Sequence, residues 1–182
     1  MIVCAGNNEV FSFAHPIGVG LVESTINLTR LALFDKPEFL IFVGSAGSYG
    51  NAKIFDIKTS MTASNIETSF WRNDSYTPID NVIEAKKIKD EKKSKIIVNS
   101  SNYITTNFEL SKNYLKHNIE LENMEFFSVM RVAQEFEIPV LGIFVVTNYT
   151  DKNAHRDFLA HHDKAKQLLT EYIYNKYKDL KK

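Results

Sequence analysis

The sequence predicts a single α/β domain with a largely parallel central sheet, and three observations support this prediction. The stretch "EFLIFVGSAGSYG" holds a continuous apolar run from Phe39 to Val43, which is typical of a strand covered on both faces. In "ENMEFFSVMRVAQEF", apolar residues recur at helical spacing. Strand and helix candidates alternate along the chain, as they do in domains built around a parallel sheet.

The elements before the middle of the chain follow from local patterns. "MIVCAG" is a first strand candidate, and "EVFSFAHPIG" is a second one that Pro16 stops. A helix is predicted from Gly18 to Phe34, with its end marked by Lys36-Pro37. The apolar strand that starts at Phe39 is expected to run into a Gly/Ser turn, and "KIFDIKTSMTAS" is a further strand candidate.

The second half continues the alternation. Residues 65–95 are predicted as a solvated loop and a surface helix, with the lysine-rich residues 86–95 as a solvated face rather than a nucleic-acid site. "KIIVNSSNYITTN" and "EIPVLGIFVVTN" are predicted as strands that end in polar residues. The chain closes with an amphipathic helix from His155 to Leu180, in which the adjacent pair His161-His162 is interpreted as surface residues rather than a metal site.

Composition excludes several classes of protein. The 182 residues fit one domain, and 22 basic residues balance 22 acidic ones, which argues against a general nucleic-acid or membrane binder. The single Cys4 cannot form an internal disulfide and offers no metal-binding cysteine pair. We therefore expect a soluble cytoplasmic protein that uses no metal ion and no cofactor and binds neither nucleic acid nor membrane.

Three buried strands end in small or polar residues, at residues 44–47, 99–102 and 147–148. Ligands of open α/β sheets bind outside the carboxyl ends of the strands, so these positions are candidates for a site. Each is also compatible with an ordinary turn, because Gly, Ser and Asn are common turn residues. The turn "GSAGS" lacks the lysine of a phosphate-binding P-loop.

A carboxylate stands directly before the helix predicted in "ENMEFFSVMRVAQEF", where Glu125 lies between Met124 and two phenylalanines. Negative charge is favourable at a helix N-terminus, and this is one interpretation of Glu125. The other is that Glu125 points into a pocket whose apolar side is formed by its Met and Phe neighbours.

Four stretches together resemble a known family. "FLIFVGSAGS", "DIK", "NMEFFSVMRVAQEFEIPV" and "VVTNYTDKNAH" look like the nucleoside phosphorylase and nucleosidase superfamily, and are most similar to its methylthioadenosine/S-adenosylhomocysteine nucleosidase branch. The resemblance runs from about Val10 to the final helix and is poor over residues 60–95. It implies a three-layer α/β/α domain over residues 1–182 with a mixed, largely parallel sheet. It also implies a shortened N-terminus, a purine nucleoside or purine base as ligand, and a homodimer.

The resemblance assigns roles to residues near the sugar. Glu125 matches the glutamate that binds the ribose hydroxyls, and Met124 matches the residue that packs on the sugar. Glu9 matches the glutamate that activates water. The small residues that lie beside the sugar and the nucleophile are Ser45, Ala46 and Gly47.

At the base, the resemblance implies that Tyr103 and Ile104 stack on the purine and that Asn148, preceded by Thr147, contacts its N7 atom. The expected reaction is cleavage of the N-glycosidic bond, which builds positive charge on the ribose and negative charge on the departing purine. A carboxylate near the sugar and a hydrogen-bond donor near N7 stabilise these two charges. Glu9 would serve as general base if water attacks.

Two departures from the family pattern matter. Nucleosidases have an aspartate where Asn148 stands, and an amide donates a hydrogen bond but cannot deliver a proton. This favours either recognition of a 6-oxopurine or loss of catalysis. Phe42 and Phe144 replace arginines of the family, and phosphate binding normally uses guanidinium donors. The sequence thus favours a purine nucleosidase over a phosphorylase, with an inactive nucleoside-binding or partner-binding relative as the alternative.

Overall fold

The structure is a computed structural model that describes residues 1–85 and 96–177. These residues form a mixed sheet of nine strands. The strands are β1 Ile2–Cys4, β2 His15–Pro16, β3 Leu40–Ser48, β4 Ile57–Ser60, β5 Thr62–Ser64, β6 Val82–Glu84, β7 Ile97–Ser100, β8 Ile119–Asn123 and β9 Val140–Tyr149. The helices are α1 Gly20–Asp35, α2 Thr68–Trp71, α3 Phe108–Lys116, α4 Phe126–Glu135 and α5 Ala154–Lys176.

The long strand β3 organises the sheet. It pairs in parallel with β1 near its start and with β9 along its whole length, and its last residues pair antiparallel with β8. The path continues from β8 through β7 and β5 to β6, and β4 pairs with the outer side of β9. Five strand pairs within the described residues are parallel and three are antiparallel, so the predicted mixed, largely parallel sheet is confirmed.

Helices cover both faces of this sheet because alternate residues of β3 and β9 point to opposite sides. One core cluster joins Phe42 and Phe144 to helices α1 and α4, while the other joins Val43 and Ile143 to helix α5. Both faces of the central strands are therefore apolar, which explains the continuous apolar runs in the sequence. The predicted three-layer α/β/α architecture is confirmed.

Several element predictions need correction. The Gly/Ser turn expected at residues 44–47 does not form, because β3 continues to Ser48 and β9 and β8 supply hydrogen bonds on its two sides. Thr147 and Asn148 likewise lie within β9 rather than at a turn after it. The short elements α3 and β8 were not predicted, and β6 lies in the sheet where residues 65–95 were expected to form a solvated loop and a surface helix. The lysine-rich segment 86–95 and the last three positions of the predicted closing helix, 178–180, lie outside the described residues.

Helix α1 confirms the predicted helix and its end. Lys36 follows it with a left-handed backbone conformation, φ 45°, which terminates the helix just before Pro37. Within the described residues, no helix combines the length and the apolar character needed to cross a lipid bilayer.

Candidate active site

A cavity of about 320 Å³ opens at the ends of β3, β8 and β9. This volume is within the range of small-molecule sites. Most of the candidate residues from the sequence lie in its lining. The lining comprises Ala5, Gly6, Asn7, Asn8, Glu9, Val19, Ser45, Ala46, Gly47, Ser101, Tyr103, Ile104, Glu122, Asn123, Met124, Glu125, Asn148, Ala154, His155 and Phe158.

Glu9 enters the cavity from the loop after β1. A tight turn, in which the Glu9 amide donates to the Gly6 carbonyl at 2.9 Å, directs the side chain towards β3. There Oε1 of Glu9 accepts a hydrogen bond from the Ser45 amide at 3.0 Å and another from the Ser45 hydroxyl. Burial raises the pKa of the Glu9 carboxyl, and the two hydrogen bonds from Ser45 oppose that rise. A carboxyl whose pKa is raised in this way accepts a proton more readily than an ordinary exposed carboxylate.

Glu125 approaches from the opposite wall, at the start of α4. Its Oε1 accepts a hydrogen bond of 2.9 Å from the Gly20 amide at the start of α1. Burial raises its pKa to about 7, and the nearby charge of Glu9 contributes in the same direction. The two carboxyls therefore interact electrostatically across the cavity. We call Glu9, Ser45 and Glu125 the paired-carboxylate end.

Asn123 connects the two carboxyls, although its role was not predicted. Its Oδ1 accepts hydrogen bonds from the amides of Glu125 at 2.8 Å and Phe126 at 2.9 Å, so it caps α4. Its Nδ2 donates to the Ser45 carbonyl at 3.1 Å. One side chain thus fixes both the helix that carries Glu125 and the strand residue that binds Glu9. The signal was present in the sequence, because an asparagine just before a helix start is a common cap.

The other end of the cavity is built by a β-bulge. Ala46 of β3 pairs with Val146 of β9, but the next residue, Gly47, pairs with Asn148. Thr147 is the extra residue of the bulge, and it is not part of the cavity lining. Instead its hydroxyl donates to Oδ1 of Asn148 at 2.9 Å and so supports the amide from behind. Nδ2 of Asn148 donates to the Tyr149 carbonyl at 3.1 Å.

Glu122 of β8 is a third carboxylate of the lining, and the sequence interpretation missed it. It pairs with Gly47 from the side opposite to Asn148. The Tyr49 hydroxyl donates to its Oε2 and the Thr105 amide to its Oε1, both at 3.0 Å. Burial raises the pKa of Glu122 to about 7. We call Gly47, Glu122 and Asn148 the amide end.

The mouth of the cavity is formed by the segment between β7 and α3. Tyr103 is 79% exposed and Ile104 is 50% exposed, so both present apolar surface to an incoming ligand. The segment itself is fixed at both sides. Asn102 accepts a hydrogen bond of 2.8 Å from the Leu21 amide, and Thr105 is held by Glu122.

Solved structures with the same architecture are numerous, whereas no protein-family model and no curated protein sequence matches the chain. Futalosine hydrolase of Helicobacter pylori strain 26695 superposes with a TM-score of 0.79 at 18% identity, over 94% of this chain and 94% of that one. The 5′-methylthioadenosine/S-adenosylhomocysteine nucleosidase of Helicobacter pylori gives a TM-score of 0.79 at 16% identity, over 96% and 95% of the two chains. The corresponding Streptococcus pneumoniae enzyme gives 0.73 at 15% identity, over 93% and 94%.

The chain has the nucleoside phosphorylase/nucleosidase fold. The fold expected from the resemblance is thereby confirmed. The superposition covers nearly the whole of this chain and of each compared chain.

Phe42 and Phe144, the two phenylalanines that the resemblance set against arginines of the family, lie in the core. Phe42 and Phe144 are fully buried, and with Phe126 they form a cluster whose ring centroids are 5.1–6.0 Å apart. The Phe42 ring also lies near Gly44, beside the carboxyl of Glu9. Hydrocarbon therefore occupies the space behind Glu9, which is consistent with the raised pKa of that carboxyl.

His161 and His162, which were interpreted as surface residues, are partly exposed, and each also binds a backbone carbonyl. His161 donates from Nδ1 to the Thr147 carbonyl at 2.8 Å, and His162 donates from Nε2 to the Asn8 carbonyl at 2.9 Å. Both rings are partly buried, and each holds a backbone segment next to a cavity residue. The sequence could not reveal this, because the contacts join residues distant along the chain.

The placement of the remaining candidates is straightforward. Ser45, Ala46, Gly47 and Met124 line the cavity, with the first three on a strand rather than on the expected turn. Across residues 1–85 and 96–177, no cluster of three or more histidine, cysteine, aspartate or glutamate residues is placed to hold a metal ion.

Proposed function

We propose that the protein hydrolyses the N-glycosidic bond of a purine nucleoside. The observation that carries this proposal is the paired-carboxylate end, where Glu9 and Glu125 interact across a nucleoside-sized cavity. Two carboxyls on facing walls can serve a displacement at one carbon atom, because one stabilises the cationic sugar while the other activates the attacking water. Relatives of known activity with this fold include nucleosidases, which supports the same class of reaction.

The sugar is proposed to lie between Glu125 and Met124. The Glu125 carboxylate would accept hydrogen bonds from the ribose hydroxyls, and its negative charge would stabilise the positive charge that develops on the ring. Met124 would pack on the apolar face of the sugar, while Ser45, Ala46 and Gly47 would form the opposite wall.

Glu9 is proposed as the general base for water. Its carboxyl is held by Ser45, and the part of the lining formed by described residues contains no lysine or arginine. The charges of His162 and Lys166, outside the lining, only partly oppose the rise in its pKa that burial causes. Three carboxylates and no guanidinium make a poor site for a phosphate dianion, because like charges repel in a buried cavity. Water is thus the favoured nucleophile, and hydrolysis is favoured over phosphorolysis.

The purine is proposed to occupy the amide end, between Tyr103 and Ile104 on one side and Asn148 on the other. An amide presents both a donor and an acceptor, which suits the N7 and O6 atoms of a 6-oxopurine. The variant Asn148→Asp tests this preference, because a carboxylate would repel O6. We expect the ratio of inosine to adenosine cleavage to fall at least about tenfold, and an unchanged ratio would contradict 6-oxopurine recognition.

The function itself is tested by incubating the purified protein with inosine, guanosine, adenosine and 5′-methylthioadenosine, with and without phosphate. Release of free base without phosphate is the expected result, and a requirement for phosphate would reassign the protein as a phosphorylase. If no base is released under either condition, the alternative of a catalytically inactive nucleoside-binding relative takes its place. Calorimetric titration with the same nucleosides then measures binding.

The homodimer remains a prediction. Helix α1 carries Val22, Ile26 and Leu33, which are 64%, 54% and 53% exposed and recur along one side of the helix. An apolar stripe of this kind is compatible with a subunit contact. Light scattering of the purified protein gives its mass in solution and tests the prediction.

A further inference from the structure

Three residues on neighbouring strands form a row across the amide end. Gly47 pairs directly with Glu122 of β8 on one side and with Asn148 of β9 on the other. Side chains of directly paired residues project to the same face of a sheet, so Glu122 and Asn148 flank the same space. A β-carbon on Gly47 would lie 3.2 Å from Cγ of Glu122 and 3.1 Å from Nδ2 of Asn148. The absent side chain of Gly47 thus leaves the two groups close together on the cavity wall.

The surroundings of Glu122 favour its neutral form. Within residues 1–85 and 96–177, no lysine, arginine or histidine forms an ion pair with it. Burial raises its pKa to about 7, against the opposing effect of hydrogen bonds from Thr105 and Tyr49. The carboxyl therefore holds a proton in a substantial fraction of molecules at neutral pH.

The proposed reaction needs a proton at this end. When the bond between C1′ and the purine breaks, the bonding electrons move onto the base, and protonation of a ring nitrogen makes the base a better leaving group. Asn148 is an amide and cannot supply that proton. Glu9 and Glu125 lie at the other end of the cavity, at the sugar. His155 is also in the lining, but it is exposed at the mouth.

We propose that Glu122 is the general acid that protonates the departing purine. The inference rests on the proposed hydrolysis and assigns one step of it. The C1′–N9 bond breaks with its electrons going to the base, and the proton of the Glu122 carboxyl moves to the ring nitrogen beside Asn148. Water forms the new bond to C1′ and gives its proton to Glu9. After the base leaves, Glu122 regains a proton from solvent and Glu9 releases one, so the cycle closes without another reactant.

The variant Glu122→Gln tests the assignment. Glutamine keeps the shape, can accept from the Thr105 amide and can donate to the Tyr49 hydroxyl, but it has no acidic proton. On a purine nucleoside that the wild type cleaves, we expect kcat to fall about 10²- to 10⁴-fold. The matched control is Glu120→Gln, which removes a carboxylate two residues earlier on β8, outside the cavity lining. Its kcat should stay within about twofold of wild type, as is usual for surface changes.

The pH dependence of kcat distinguishes a Glu122 that donates a proton from a Glu122 that only supports the structure. A group that must be protonated loses activity as pH rises through its pKa, so the wild-type kcat should fall above about pH 7. In Glu122→Gln this alkaline decline should vanish along with most of the activity. The ionisable groups that face Glu122 are Tyr49 and Tyr114 from the packed elements, and Glu9, Glu125 and His155 around the cavity. The variant His155→Asn is therefore measured in parallel.

Each outcome decides the proposal. If Glu122→Gln keeps most of its kcat, or if the alkaline decline persists there and disappears in His155→Asn, Glu122 is not the acid. If Glu122→Gln fails to fold by circular dichroism, Glu122→Asp replaces it: a retained alkaline decline supports the assignment, and its loss overturns it. Failure of the proposed function is distinct, because the wild type would then release no base at all.

Discussion

The two ends of the cavity use the same residue type in different surroundings. At the paired-carboxylate end, backbone amides of Ser45 and Gly20 donate to Glu9 and Glu125, and the charge of Glu9 adds to the burial that raises the pKa of Glu125. At the amide end, Glu122 stands beside an uncharged amide and accepts from a buried phenol. In the proposed reaction, carboxyls whose pKa values are all raised would serve opposite purposes. The paired-carboxylate end would stabilise positive charge and take up a proton, while Glu122 would give a proton away.

The largest expected effect comes from removing charge at the paired-carboxylate end. Glu125→Gln keeps an acceptor for the Gly20 amide but loses the negative charge that stabilises the cationic sugar. We expect kcat on the best nucleoside to fall by at least about 10²-fold, as for other preorganised electrostatic groups. Steady-state kinetics measures this, with Glu120→Gln as the control. If the variant keeps more than a tenth of the wild-type kcat, the negative charge of Glu125 does not stabilise the reaction as proposed.

A smaller effect is expected where one residue supports only one end. Asn123→Ala removes the hydrogen bonds to Glu125, Phe126 and Ser45, so both carboxyls lose their fixed positions. We expect about a tenfold loss in kcat from misplacement and about 1 kcal/mol lower free energy of unfolding from the lost cap. Urea denaturation measures the second quantity.

The control for Asn123→Ala is a second substitution at the same position. Asn123→Asp keeps the acceptor that caps α4 but lacks the donor to Ser45, so it should recover the stability without recovering the full activity. Binding of the free purine depends on the amide end and should change less than about threefold in either variant, because separated sites act independently. A large loss of purine affinity would contradict the separation of the two ends.

The smallest effect is expected from a substitution that only shifts the pKa of Glu122 at the amide end. Tyr49→Phe keeps the ring that stacks on Tyr114 at a centroid distance of 4.2 Å, but removes the hydroxyl that donates to Glu122. That hydrogen bond stabilises the carboxylate, so its loss raises the pKa of Glu122 further. The alkaline decline of kcat should move to higher pH by up to about one unit. A shift towards lower pH would be the wrong sign for the proposed acid.

The sequence revealed most of the fold because hydrophobic patterning is local. Continuous apolar runs marked β3 and β9, and helical spacing marked α1, α4 and α5. The strand β8 was missed although "IELEN" alternates apolar and polar residues, since five residues with two glutamates resemble a solvated loop. Helix α3 was missed although Asn107 accepts from the Glu109 amide at 3.0 Å as an ordinary cap.

Residue patterns pointed to Glu125 and to the polar strand ends, and the family resemblance supplied Glu9, Tyr103 and Ile104. Glu125 and Met124 could be found because they precede an apolar helix. Glu122 could not, because its position opposite Asn148 depends on the pairing of three strands and on a bulge that the sequence does not mark. The same bulge explains why Thr147 lies behind the cavity while Asn148 lines it.

The last helix has a consequence for the order in which activity is acquired during protein synthesis. His161 and His162 of α5 hold the carbonyls of Thr147, beside the base position, and of Asn8, beside the proposed water-activating glutamate. Because a ribosome makes the chain from its N-terminus, these two supports arrive after every other part of the site has been made. A nascent chain can therefore form the sheet and its carboxylates well before it holds them in a working arrangement, and catalysis should begin only once the final helix has emerged and docked.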